Sequence, residues 1–167
     1  MSMQGFNVEK HLRLARQLSA QGWTFCRENE DDRQTVDHLI SDAFSPSTLG
    51  PEQEGVVAIA SDGRIGGAIR YQAVRFPKGD RIYLHAVVVA PQYRRQGVAT
   101  VLLNVFSMQL RPLYGNPPVI GNCEWRMRHL YKDCGYKVLE PGQPLMDPVQ
   151  GKLYCSDRRF DCWLVAG

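Results

Sequence analysis

Leu84-His85-Ala86-Val87-Val88-Val89-Ala90-Pro91-Gln92-Tyr93-Arg94-Arg95-Gln96-Gly97-Val98-Ala99-Thr100 is the stretch on which the fold turns. A β-branched run reads as a buried strand, Pro91 stops it, and a basic turn follows. A helix then opens at Gly97, with Val98, Val101, Leu102 and Val105 on one face. The first N–H groups of a helix have no internal acceptor and carry the positive end of its dipole. Here they would cradle an anion such as a pyrophosphate, with Arg94, Arg95 and Gln96 beside them. The same residues also read as an ordinary strand-to-helix loop with two solvated arginines.

Upstream, Asn7–Gln21 has helical spacing, Trp23–Arg27 is a short strand, and Asp31-Asp32 supplies the N-cap of a second helix. That helix places Val36, Leu39, Ile40, Ala43 and Phe44 on one face. Three strands follow, Val56–Ala60, Ile65–Phe76 and Arg81–Val89. The turns Asp62-Gly63 and Pro77–Asp80 make them an antiparallel meander, with Gly66-Gly67 a weak point. Downstream come a strand at Pro118–Asn122, a helix at Glu124–Cys134 closed by Gly135, and a strand at Tyr136–Leu139. Glu140–Gly151 reads as a loop and Lys152–Val165 holds the last strand. The order predicts one mixed α/β domain spanning residues 1–167.

The 167 residues suffice for a full core, and 44% hydrophobic with 22% charged residues is a globular composition. Net charge is +3, and apart from Arg94-Arg95 and Arg158-Arg159 the arginines are scattered. That disfavours a nucleic-acid partner and suits a small anionic ligand. No run approaches the roughly 18 apolar residues of a membrane span, and the start lacks a secretory signal. The five cysteines are odd in number with no C-x-x-C spacing, which predicts reduced thiols in a cytoplasmic protein. The four histidines do not pair at ligand spacing, so no metal is expected.

Arg94-x-x-Gly97-x-Ala99 resembles the acetyl-CoA signature [QR]-x-x-G-x-[GA] of the GCN5-related N-acetyltransferases (GNAT). Leu130-Tyr131-x-x-x-Gly135-Tyr136 is similar to the family's downstream L-Y-x-x-x-G-[FY]. Leu84-His85-Ala86 and Cys123-Glu124 resemble the arylalkylamine branch, although many members have Asn where this chain has Glu124. The resemblance implies a mostly antiparallel sheet with one splayed parallel pair, Arg81–Val89 and Pro118–Asn122, flanked by about four helices. It implies acetyl-CoA as cosubstrate, held by Val87, Val88, Val89, Arg94, Arg95, Gln96, Gly97, Val98, Ala99 and Thr100. The pantetheine amides would pair with the backbone of Val87 and Val89. A primary amine, in a small molecule or a peptide, would attack the thioester directly, the protein acting as a monomer or homodimer.

Two side chains carry the proton chemistry in this reading. Tyr131, on a face with Met127, Leu130 and Cys134, is either a core tyrosine or the acid for the departing thiolate. His85 shares a strand face with Tyr83, Val87 and Val89, and is either a structural histidine or the base, directly or through water. His11, His38 and His129 read as surface or capping residues. Cys123 and Cys134 read as structural, because direct transfer needs no acyl-enzyme. The acceptor would meet residues 45–54, 72–80 and 140–154, with Glu52, Glu54, Phe44, Phe76 and Tyr83 as contacts. A non-catalytic acyl-CoA-binding domain remains the alternative.

Overall fold

The computed structural model describes residues 8–44, 49–155 and 162–167. They divide into two compact units, Val8–Gln72 with His85–Leu110, and Ala73–Leu84 with Arg111–Gly167.

The first unit begins with helix α1 (Val8–Ala20), strand β1 (Thr24–Arg27) and helix α2 (Arg33–Ala43). Strands β2 (Glu54–Ile59), β3 (Ile65–Phe76) and β4 (Gly79–Val89) follow. β1 pairs antiparallel with β2, and β2 with β3 around the Asp62-Gly63 turn. The α2 stripe lies where its spacing puts it: Val36 and Ile40 are buried against Val57, Ala68, Ala86 and Val88, with Leu39, Ala43 and Phe44 packed on the edge. Val36 and Ile40, fully buried, each contribute about 1.5–3 kcal/mol. Asp32 does stand at the N-cap, but its side chain makes no bond to the helix; it accepts from Asn29 N–H at 3.2 Å instead.

Gly66 is where the β2–β3 register shifts, left between the Ala58–Gly67 and Ile59–Ile65 pairs, while β3 itself runs on through both glycines. A Cβ on Gly67 would lie 3.0 Å from Val88 O, and one on Gly66 2.7 Å from the Trp23 ring. Only glycine lets these neighbours approach. Buried Arg70 ties the unit together, with a bidentate pair to Glu28 (both 2.6 Å) and a third bond to Asp37 at 2.8 Å. Helix α3 (Val98–Val105) runs into a wider, π-type turn at Phe106–Leu110. Phe106 there packs on Tyr71 at 5.1 Å between ring centroids.

The second unit holds β5 (Val119–Cys123), a tight turn at Trp125–Met127 and helix α4 (Arg128–Asp133). Four short strands follow: β6 (Lys137–Val138), β7 (Leu145–Met146), β8 (Leu153–Tyr154) and β9 (Cys162–Ala166). β4 and β5 are parallel, with Ile82, Tyr83 and Leu84 opposite Val119, Ile120 and Gly121. β9 runs antiparallel to both β5 and β6. Ile120, Leu139, Leu145 and Trp163 form the core here, covered by Tyr83, Tyr154 and Val165.

Three expectations fail in this unit or beside it. Residues 140–151 are not simply a loop, since Leu145-Met146 pairs with Leu153-Tyr154. Buried Asp147 holds that hairpin: it pairs with Arg81 and accepts from Val149 N–H (2.8 Å) and Gln150 N–H (3.0 Å). Met127 is 40% exposed rather than inward, because residues 125–127 form a tight turn and α4 starts only at Arg128. His11 is buried, not superficial, whereas His38 and His129 are exposed as expected. The Arg158-Arg159 pair and the Ser45–Thr48 break lie outside the described residues.

Among the described residues the result is a mixed α/β fold with four α-helices and a seven-stranded sheet of order β1-β2-β3-β4-β5-β9-β6. Its parallel pair is β4–β5, as the resemblance implies.

Candidate active site

The turn between β4 and α3 is built by backbone conformation. Pro91–Tyr93 forms one tight helical turn, and then Arg95 (φ 63°) and Gly97 (φ 89°) both enter the left-handed region. Gly97 is the N-cap of α3, and the first helical bond runs from Val101 N–H to Gly97 O at 3.1 Å. The N–H groups of Val98, Ala99 and Thr100 therefore precede any intrahelical acceptor. A glycine is needed at position 97 for a second reason: a Cβ would lie 2.6 Å from Leu14 Cδ1 of α1. Helix packing thus requires glycine here, alongside the close backbone approach that an anion at the helix start would need.

Arg94, Arg95 and Gln96 are exposed at this turn. Arg94 is partly engaged, its Nε donating to Val89 O at 3.0 Å. It thereby reaches one of the strand-end carbonyls expected to face the pantetheine arm. Val88 is buried and Val87 half-buried. A cavity of about 510 Å³ adjoins the turn, lined by Leu14, Gln17, Gln21, Arg95, Gln96 and Gly97. The arrangement fits an anionic cofactor end: oriented N–H donors, guanidinium charge and the three amides of Gln17, Gln21 and Gln96. α1 was not read as a contributor, and nothing in its amphipathic spacing signals which turn it packs against.

Along β4 the alternation is as expected. Ile82, Leu84, Ala86 and Val88 are buried, while Tyr83, His85, Val87 and Val89 are half-buried and share one face. His85 Nε2 lies 3.2 Å from Gln72 Oε1 of β3. Gln72 Nε2 in turn donates to Glu52 Oε2 at 2.9 Å. Burial pulls the His85 imidazole down to about 4, because it strips hydration from the cation. Its ring is neutral at pH 7, and its titration lies below the 6–8 range that an unperturbed histidine suggests. Gln72 was legible only as the boundary of a segment.

In the second unit Tyr131 is buried in α4, edge-on to Tyr136 at 5.9 Å between centroids. Burial pushes its phenol well above the usual tyrosine range, reinforced by Cys123, Tyr136 and Cys134. It therefore keeps its proton throughout the physiological range. Cys123 and Cys134 are buried and not disulfide-bonded, in keeping with a structural role. Tyr83 OH donates to Asn122 Oδ1 at 2.7 Å, and the buried Asn122 Nδ2 has no hydrogen-bond partner. That orphan donor near the end of β5 was missed, since a lone Asn in a strand carries no signal of its own. Of the acceptor candidates, Glu54 lies 3.9 Å from Arg27, and Phe76 stacks under Arg81 at 4.8 Å.

Among the described residues the sheet is mixed with one parallel pair, β4–β5, and a turn with two left-handed residues leads from β4 into α3. The chain matches the model of the acetyltransferase (GNAT) family over residues 15–136, and it belongs to that family. No curated protein matches it. Among solved structures it is similar to a GNAT family N-acetyltransferase from Escherichia coli in complex with CoA: 20% identity, TM-score 0.59, 70% of this chain and 69% of that one. It is also similar to diaminobutyrate acetyltransferase from Paenibacillus lautus, solved with its substrate and coenzyme A: 20% identity, TM-score 0.56, 87% and 94% covered. A third likeness is to a fungal multi-domain β-N-acetylglucosaminidase with a GCN5-related glucosamine N-acetyltransferase region: 17% identity, TM-score 0.58. This chain covers 71% of itself there but spans only 17% of that enzyme. Acyl transfer from acetyl-CoA is the family's general chemistry.

Proposed function

We propose that this chain transfers acetyl from acetyl-CoA to a primary amine, with the 167 residues acting as one catalytic domain. The observation that carries the reading is the Arg94–Gly97 turn, whose two left-handed residues lead into the unbonded N–H groups of α3. Val98, Ala99 and Thr100 N–H, with Arg94, Arg95 and Gln96, hold the phosphates. The backbone of Val87 to Val89 aligns the pantetheine arm.

The amine nitrogen attacks the thioester carbon, the C–S bond breaks, and the nitrogen sheds a proton. Neutral His85 receives that proton, directly or through water. A group of pKa about 4 is a poor base for a free alkylammonium near 10. It suits instead the far more acidic N–H formed once the nitrogen has bonded to the carbonyl. Tyr131 enters the step protonated and gives its proton to the thiolate. The same burial makes its phenolate unfavourable, so a proton from water replaces the one given up, and the proton held by His85 returns to solvent.

The Leu84-His85-Ala86 and Cys123-Glu124 matches make arylalkylamines the first acceptor class to try. The protein is read as cytoplasmic, a monomer or homodimer; among the described residues no helix is long and apolar enough to cross a membrane. The test is release of CoA thiol from acetyl-CoA with pooled acceptors: arylalkylamines, diamino acids, amino sugars, aminoglycosides and peptide N-termini. Amine-dependent thiol release supports the proposal. Tight acetyl-CoA binding with no turnover in any pool would leave the non-catalytic acyl-CoA-binding reading in its place.

A further inference from the structure

We propose that the last turn of α1, through Gln17 and Gln21, is a second wall of the cofactor site and receives the uncharged adenosine of acetyl-CoA rather than one of its phosphates. The inference rests on the reading above that the turn into α3 holds the diphosphate.

The sequence sets Leu14, Gln17 and Gln21 at i, i+3 and i+7, which is one face of a helix. Gln21 lies one residue past α1, and its N–H donates back to Gln17 O at 3.1 Å, so it continues the same turn. That face meets the turn before α3. Leu14 occupies the space that a Cβ on Gly97 would need, at 2.6 Å. Packing therefore fixes the helix beside the turn, and a cavity of about 510 Å³ lies between them. Leu14, Gln17 and Gln21 line it on one side, and Arg95, Gln96 and Gly97 on the other. Its volume is within the range of about 300–1,000 Å³ usual for small-ligand sites.

The two walls differ in charge. The turn brings guanidinium charge and the positive end of the α3 dipole. α1 presents the opposite end of a helix: its C-terminal turn carries the negative end of the dipole and no basic residue. The N–H groups there are already spent, Gln21 on Gln17 O and Gly22 on Ser19 O. An anion is disfavoured against this wall. A neutral group with both donors and acceptors is favoured, because each glutamine amide offers two donors and an acceptor, and both side chains are exposed. Adenosine has an exocyclic amino donor, ring-nitrogen acceptors and a ribose hydroxyl. It is bonded directly to the diphosphate, so it comes within reach of a wall that adjoins the diphosphate donors. Arg95 lines the same cavity and offers a planar guanidinium on which a base can stack.

The test measures binding and needs no acceptor amine. CoA, dephospho-CoA (which lacks the 3′-phosphate) and 4′-phosphopantetheine (which lacks the nucleoside) are titrated into the wild type and into Gln17→Ala/Gln21→Ala. The double variant should weaken CoA and dephospho-CoA alike, by about 3- to 10-fold, the loss expected for one or two net hydrogen bonds. It should leave 4′-phosphopantetheine unchanged. Gln17→Lys tests the charge argument without truncation: the ratio of CoA to dephospho-CoA affinity should stay at its wild-type value. Unchanged CoA affinity in the double variant, or an equal loss with all three ligands, overturns the proposal. So does a loss confined to CoA, or an affinity ratio that rises in Gln17→Lys, since either would set the 3′-phosphate against α1. Failure of the diphosphate reading itself shows differently, as a wild type that binds none of the three.

Discussion

The turn at residues 94–97 and the region around Tyr131 represent two ways of building a site. The turn is exposed and polar, and rests on local backbone: two left-handed residues, a glycine N-cap and a helix start. Tyr131 is buried among Cys123, Cys134 and Tyr136, on a six-residue helix, beside strands only two residues long. Chain conformation sets the first and long-range packing sets the second. The first should respond to changes of charge and φ with little loss of fold. The second should lose stability or turnover when a single buried partner is altered.

The largest expected effect is on the packed region. Asp147→Ala leaves Arg81 buried without its partner and removes the acceptor for Val149 and Gln150 N–H. A loss of about 3–5 kcal/mol is expected, as for a broken buried ion pair, read by chemical denaturation. Asp147 also sets an acid limit. Burial opposes its ionisation, but the Gln150 and Val149 N–H groups and the Arg81 guanidinium outweigh it and hold the carboxyl below the usual range. That contribution is present at neutral pH and is lost as pH falls through the depressed folded-state pKa. A protein as stable in Asp147→Ala as in the wild type would mean that packing alone holds the hairpin.

Tyr131→Phe removes one hydroxyl and keeps the ring. A fall in kcat of about 10- to 1,000-fold is expected, with acetyl-CoA affinity nearly unchanged. Wild-type turnover would return Tyr131 to the core, making this region purely structural.

Gly97→Glu should abolish the gain in Tm that acetyl-CoA gives the wild type, which at 100 times Kd corresponds to about 2.7 kcal/mol. Gly97→Ala separates the causes. Both variants strain the left-handed φ and crowd Leu14, so both lower Tm. Only the carboxylate repels the phosphates, so Gly97→Ala should retain a ligand-induced rise. Equal loss of that rise in both would assign the effect to strain.

The smallest effect concerns pH. kcat/KM, expressed per unprotonated amine, should rise as His85 loses its proton, through an apparent pKa near 4, and be level from about pH 5 to neutrality. His85→Gln should remove that limb. Stability follows the same sign. The unfolded imidazole, near 6.5, binds a proton before the folded one does, so stability falls as pH drops from about 6.5 toward 4. His85→Gln should flatten part of that slope. A limb at 6–8 in the wild-type rate profile would mean that bound substrates restore the hydration lost by burial.

Much of the architecture was legible because it repeats at short range. The α2 stripe, the Asp62-Gly63 turn, the full extent of β3 and the alternation of β4 all follow from periods of 3.6 and 2 or from turn chemistry. β7 and β8 escaped because two-residue strands have no period to read. They exist through the buried Arg81–Asp147 pair, whose partners are 66 positions apart in the chain. Met127 was misplaced because a tight turn shifts the helical phase before α4 begins.

By itself the sequence determined the mixed α/β order, the basic turn entering a helix at Gly97, and which face of β4 carries His85. Those are properties of neighbouring residues, set by sterics and side-chain alternation. Only the tertiary structure decided that Leu14 of α1 fills the space beside Gly97, and that Gln72 bridges His85 to Glu52. It alone decided that burial takes the imidazole to about 4 and holds the Tyr131 phenol protonated. The reason is physical: a pKa and a hydrogen-bond partner depend on desolvation and on groups brought near by folding, and neither is written in adjacent residues.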